Sequence, residues 1–200
     1  MARDQNDTND ETMPEGTMLM NDAADVEQIK RVATRYALAL DSGNPELLVG
    51  GVFTQDAVLN YDADDIEADE IVGAEAIDAY FRDLPHGLVG MMHFVSNFSV
   101  NVDGDEATSL CYYQAWHWFS DSETPDPLAP VTFVAVGCYE DILVRTAEGW
   151  RIRRRTSRSL TPGPVGFGSP PEHIREFFIK RTARKNLHSP GSPPRAAAAP

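Results

Sequence analysis

Helix-forming and strand-forming sequence are segregated along this chain. Helical periodicity fills the first half and long β-rich runs fill the second. From Ala24, with Asp22 as N-cap, the residues Ile29, Val32, Ala33, Tyr36, Ala37 and Leu40 recur at i, i+3, i+4 spacing. They form one apolar stripe on a helix ended by Asp41-Ser42-Gly43. Asn44-Pro45 opens a second, short helix carrying Leu47, Leu48 and Val52, with Asn44 as cap and Pro45 at the first helical position. Residues 57–61 read as a short strand, and the acidic stretch 62–70 as a solvated loop. A third helix over 74–84 presents Ile77, Tyr80, Phe81 and Leu84 before Pro85-His86-Gly87 stops it. Strands are predicted at 91–102, 107–119, 131–145 and 150–158. Asp103-Gly104-Asp105 and Glu148-Gly149 supply tight turns, and a Pro-rich loop spans 120–130.

That order limits the fold. Helices that come first must cover one face of an antiparallel sheet that comes last, and a long sheet covered on one face curls around that core. The expected class is α+β: a cone-shaped, curved antiparallel sheet packed on N-terminal helices, with a pocket in the concave interior. Residues 22–160 form this domain. Residues 1–21 lack periodicity, are rich in Asp, Asn and Thr, and are expected to be disordered. Residues 161–200 read as a Gly/Pro linker, a helix over 171–186 with Ile174, Phe177 and Phe178 on one stripe, and a low-complexity tail.

Charge and composition narrow the partners. A net charge of −14 leaves no domain-wide basic face for nucleic acid. No run approaches the roughly 18 apolar residues of a membrane span, and the N-terminus is acidic where a signal peptide is basic, so a cytoplasmic location is expected. Cys111 and Cys138 lie in apolar strand-like runs and read as buried free thiols. No Cys/His spacing has the form of a zinc site.

Tyr36, Asp41 and His93 are the residues most suited to chemistry. Tyr36 lies on the apolar face of the first helix. Asp41 follows five residues later, about 140° around the axis if the helix stays regular. His93 interrupts an apolar strand in which alternation sets Met91, His93, Val95 and Asn97 on one face and Met92, Phe94, Ser96 and Phe98 on the other. Each also has a plain structural role: a hydrogen-bonded core histidine, a helix-end aspartate, a packed tyrosine with a polar tip. His117, between Trp116 and Trp118, reads equally as a catalytic group or as part of an aromatic wall.

Three segments, RYALALDSGNPELLVGGVFTQDAVLNY, MMHFVSNFSVNVDGDEA and YEDILVRTAEGWRIRRR, together resemble the SnoaL-like branch of the nuclear transport factor 2-like superfamily. The resemblance covers about 24–158. Within that superfamily the chain resembles the scytalone and bile-acid dehydratases. It implies that Tyr36 and Asp41 match a Tyr/Asp pair five residues apart on the first helix, and that His93 matches a catalytic strand histidine. Tyr61 matches a tyrosine on the first strand of the scytalone enzyme. Leu40 departs from that enzyme, which has a tyrosine there. His117 lies near a second catalytic His or Asp without being securely in register. The function so implied is lyase chemistry without metal or organic cofactor: loss of water from a cyclic, carbonyl-bearing, largely apolar small molecule. In it His93 is the base, Asp41 orients it, and Tyr36 or Tyr61 donates to the carbonyl oxygen. Polyketide cyclase and steroid isomerase chemistry share the same enolate. A non-catalytic binding module, or the small subunit of a ring-hydroxylating dioxygenase, is the alternative. Such sheets often pair, so a homodimer or homotrimer is expected, and the C-terminal segment is a candidate lid.

Overall fold

The computed structural model describes residues 15–61, 70–82, 88–120, 133–161, 165–166 and 172. For residues 15–22, 61, 165 and 166 it describes the backbone alone. The elements are α1 (Glu15–Asp41), α2 (Glu46–Gly51), β1 (Phe53–Tyr61), β2 (Glu70–Val72), α3 (Ala74–Arg82), β3 (Leu88–Asp103), β4 (Glu106–Phe119), β5 (Phe133–Thr146), β6 (Gly149–Ser159) and β7 (Val165–Gly166). The strands form one sheet in the order β2-β1-β6-β5-β4-β3, with β7 added to β5. All pairings are antiparallel except β1 with β6. The fold is α+β, as the order of helical and strand sequence requires.

α1 lies across one face of the sheet. Its stripe of Ile29, Val32, Ala33, Tyr36, Ala37 and Leu40 is buried, while Leu38 on the opposite side is exposed. Each large side chain in such a stripe contributes about 1.5–3 kcal/mol. From the sheet, Leu59, Cys111, Tyr139, Leu143, Trp150 and Ile152 complete the same core. The other face of the sheet carries exposed Met92, Phe94, Tyr112 and Ile142. A groove of about 490 Å3 lies on that outer side, among Ser99, Asn101, Thr108, Glu140, Arg154 and Thr156.

Several local expectations are corrected. α1 starts at Glu15, so residues 15–21 continue the helix where disorder was expected. Pro45 is the N-cap of α2 rather than its first helical residue. β2 closes the acidic stretch with a short ladder on β1, and β7 emerges from the Gly/Pro linker. The strict alternation of β3 fails at Asn97, which takes φ 54. The ladder to β4 shifts register between Ser96 and Ser99. An extra residue in a bulge exchanges the faces beyond it, and asparagine tolerates this left-handed backbone better than most residues. Phe98, Val100 and Val102 therefore join Met91, His93 and Val95 on the inner face, and Asn97 faces out. The helix predicted over 171–186 lies outside the described residues, except for Glu172.

The N-terminal half of α1 is pinned by one carboxylate. Asp25 accepts both terminal nitrogens of Arg145 at 2.8 and 2.6 Å, and the indole N–H of Trp150 at 3.0 Å. Arg145 also lies over the Trp150 ring and reaches Asp105 in the β3–β4 turn. Hydrogen bonding from Arg145 holds the Asp25 carboxyl below its usual range, against the opposing effect of burial. Asp25→Ala should cost about 2–4 kcal/mol by chemical denaturation, because it strands a cation and an indole donor. In the wild type this stabilisation is complete above the unfolded carboxylate value near 3.9 and is lost as pH falls below it. The variant should lack that acid-dependent component. Equal stability of the two proteins at neutral pH would contradict the assignment.

Candidate active site

Asp41 is the last residue of α1, and the turn after it fixes its direction. Gly43 takes φ +65, its N–H donates to the carbonyl of Leu40, and the N–H of Asn44 donates to that of Ala39. This is a Schellman closure, which needs a residue at ease in the left-handed region at the glycine position. It leaves an acid at the negative end of the helix dipole, with no basic residue in the last turn to compensate. The compensation comes from the edge strand β3. The backbone N–H of His93 donates to Asp41 Oδ2 at 2.9 Å, and His93 Nδ1 lies 2.6 Å from Asp41 Oδ1.

The imidazole side chain is 5% exposed and the carboxylate 20%. Contact through Nδ1 gives this nitrogen the proton and leaves the lone pair of Nε2 directed away from the carboxylate. In this geometry a carboxylate can orient an imidazole. Across the inner face, His93 is opposite Ala115, which is opposite Ala135, so small side chains adjoin the imidazole on the sheet. One row away, Met91, His117 and Phe133 are in register. The His117 ring stacks on Phe133 at 4.4 Å, and its centroid is 6.4 Å from that of His93. Nδ1 of His117 is buried without a hydrogen-bond partner among the described residues. Burial, reinforced by the neighbouring charge of His93, pushes its pKa down to about 4.

The other sequence candidates lie deeper or outside view. Tyr36 is 1% exposed and packs edge-on against Phe53, Phe81 and Tyr139, with the guanidinium of Arg155 4.2 Å from its ring centroid. The backbone of Tyr61 pairs with Ser157, and its side chain lies outside the described residues. The sequence reading missed Arg155 altogether. It is fully buried, paired with Asp141 and enclosed by Tyr36 and Tyr139. Its signal is hidden in the run Arg151-Ile152-Arg153-Arg154-Arg155, where a register shift in the β5–β6 ladder decides which arginine points inward. Among the described residues no group of three or more His, Cys, Asp or Glu side chains is placed to hold a metal ion, and no helix is long and apolar enough to cross a membrane.

Comparison with known proteins adds the family context. Residues 21–156 match the family model described as SnoaL-like domain. The uncharacterized protein Rv2910c of Mycobacterium tuberculosis is 30% identical over 137 residues, covering 64% of this chain and 80% of its own length. Two solved structures from Novosphingobium aromaticivorans share the fold. One, named a "putative aromatic ring hydroxylase", has 26% identity and a TM-score of 0.58, covering 72% of this chain and 94% of its own. The other, named "Putative Scytalone Dehydratase", has 23% identity and a TM-score of 0.60, covering 72% and 89%.

The suppressed basicity of His117 has a measurable consequence. In the unfolded chain its imidazole takes up a proton near pH 6.5, whereas in the folded protein it does so only near 4. Between these values the unfolded state binds the extra proton, so stability falls as pH drops from about 6.5 to about 4. His117→Phe, which keeps the ring stack, should remove about 3 kcal/mol of that acid loss. Urea melts across this pH range measure it, and an acid loss unchanged in the variant would contradict the assignment.

Proposed function

The chain belongs to the SnoaL-like domain family, and on that premise we propose that it is a dehydratase acting on a cyclic, carbonyl-bearing, largely apolar small molecule. The observation that carries this reading is the Asp41–His93 contact at 2.6 Å on the helix-covered side of the sheet. His93 Nε2 takes the proton from the carbon next to the substrate carbonyl. Asp41 keeps the proton on Nδ1 and stabilises the imidazolium that forms. Enolate charge grows on the carbonyl oxygen, and a tyrosine hydroxyl, Tyr36 or Tyr61, donates to it. The enolate then collapses, the carbon–oxygen bond to the β-hydroxyl breaks, and the hydroxyl leaves as water with the proton returned by His93. His117 gains a proton only near pH 4, so at neutral pH it serves as an uncharged partner that orients the departing hydroxyl.

Isomerisation and ring closure use the same enolate and differ only in where the proton or the carbon bond goes next. A second reading, as the small subunit of a ring-hydroxylating dioxygenase, draws on the likeness to the Novosphingobium protein bearing the hydroxylase name. Co-purification with a large iron-bearing subunit would favour it.

The test is turnover on a panel of cyclic β-hydroxy ketones, followed by ultraviolet absorbance of the conjugated enone. The wild type should release one water per enone formed. His93→Ala should lose about 10²–10⁴-fold in kcat with the fold intact. Asp41→Asn, which unsettles the tautomer, should lose about 10²-fold or more. Wild-type rates in His93→Ala would overturn the proposal.

A further inference from the structure

Arg155 is a buried cation whose hydrogen bonding is unfinished. It is 0% exposed, on the same face of the sheet as His93. Nε and Nη2 each donate to Asp141, itself buried, at 2.7 Å. Nη1 has no partner. The rings of Tyr36 and Tyr139 both pack against the guanidinium, each centroid 4.2 Å from its central carbon, and the two rings meet edge to face with centroids 5.4 Å apart. The two-point bond to Asp141 fixes the guanidinium, and with it the direction of the N–H groups of Nη1. Buried charged donors are seldom left without an acceptor, since folding has already stripped them of water.

We propose that Nη1 of Arg155 is a binding point for an uncharged oxygen, a ketone or hydroxyl, on a small cyclic ligand held on the helix-covered side of the sheet. The proposal rests on the reading of that side as the ligand-binding side. The choice of an uncharged oxygen follows from charge. Asp141 already neutralises Arg155, so a carboxylate brought to Nη1 would add a buried anion with no counter-charge. A ketone or hydroxyl oxygen satisfies the donors without that cost. Further hydroxyls lie on the same face: Ser157 is two residues along β6 from Arg155, and its Oγ is 3.3 Å from the hydroxyl of Tyr113. Both can accompany the anchor of a polar substituent. The point differs from the Asp41–His93 contact in element and in chemistry, since it holds oxygen and moves no proton.

The experiment measures binding of three bicyclic probes to the full chain by ligand-observed NMR: 2-tetralone, the hydrocarbon tetralin, and tetralin-2-carboxylate. They are titrated into wild type, His93→Ala, Arg155→Lys, and the double variant Arg155→Met with Asp141→Leu. The double variant replaces the ion pair by apolar side chains, a change that interiors often accept. Arg155→Lys keeps the charge and loses the planar fork, and circular dichroism checks the fold of each. Wild type should prefer the ketone over the hydrocarbon by about tenfold, with no gain for the carboxylate. His93→Ala should keep that preference, so failure of the dehydratase reading leaves this result standing. Both Arg155 variants should lose it. Equal binding of ketone and hydrocarbon by wild type, tighter binding of the carboxylate, or a ketone preference that survives in either folded Arg155 variant would overturn the proposal.

Discussion

The longest helix, α1, lies across the covered side of a long sheet with α2 and α3 beside it, and the site at its C-terminal end depends on how it is held. Its apolar stripe supplies attraction without direction. Direction comes from two carboxylates, one within the helix and one at its C-terminal end. Asp25 binds Arg145 and Trp150 on β5 and β6, and Asp41 binds His93 on β3. The helix is therefore tied to the middle strands and to the β3 edge of the sheet, and its angle across the core is set by hydrogen bonds as well as by packing.

These ties, with the Asp141–Arg155 pair between them, use similar groups to different ends. Asp25 meets a guanidinium, which stays charged at any working pH, so that contact acts on stability alone. Asp141 also meets a guanidinium, fully buried and packed against two tyrosine rings. Asp41 meets an imidazole, the side chain whose proton is exchanged near neutral pH. It does so from the end of a helix where a carboxylate is electrostatically disfavoured. An acid in that position is expensive for the helix alone and becomes favourable only through His93.

Much of the architecture was legible because its signals are local. The α1 stripe, the Asp103-Gly104-Asp105 turn and the β-rich second half each declare themselves within a few residues, and their order alone requires a covered sheet. What was not legible depends on tertiary pairing. Alternation set Asn97 on the face of His93 and Phe98 on the opposite one, and the bulge reverses both. Arg155 could not be told from its neighbours in a run of arginines, because the register shift that aims it inward arises between strands. The contact between Asp41 and His93 could not be derived from spacing either, since a regular helix sets Asp41 well away from Tyr36 in azimuth. The Schellman turn at Gly43 and the path of β3 bring acid and histidine together. Only the family resemblance pointed to them as a pair.

The central claim is that Asp41 holds the His93 ring with its proton on Nδ1, leaving Nε2 bare to accept one. Long-range proton–nitrogen NMR of the histidine side chains, recorded above neutral pH, reads this directly. The account predicts a His93 ring with a protonated Nδ1 and an unprotonated Nε2, and a shift of the proton toward Nε2 in Asp41→Asn. A wild-type ring carrying its proton on Nε2, or a tautomer indifferent to Asp41→Asn, would contradict it.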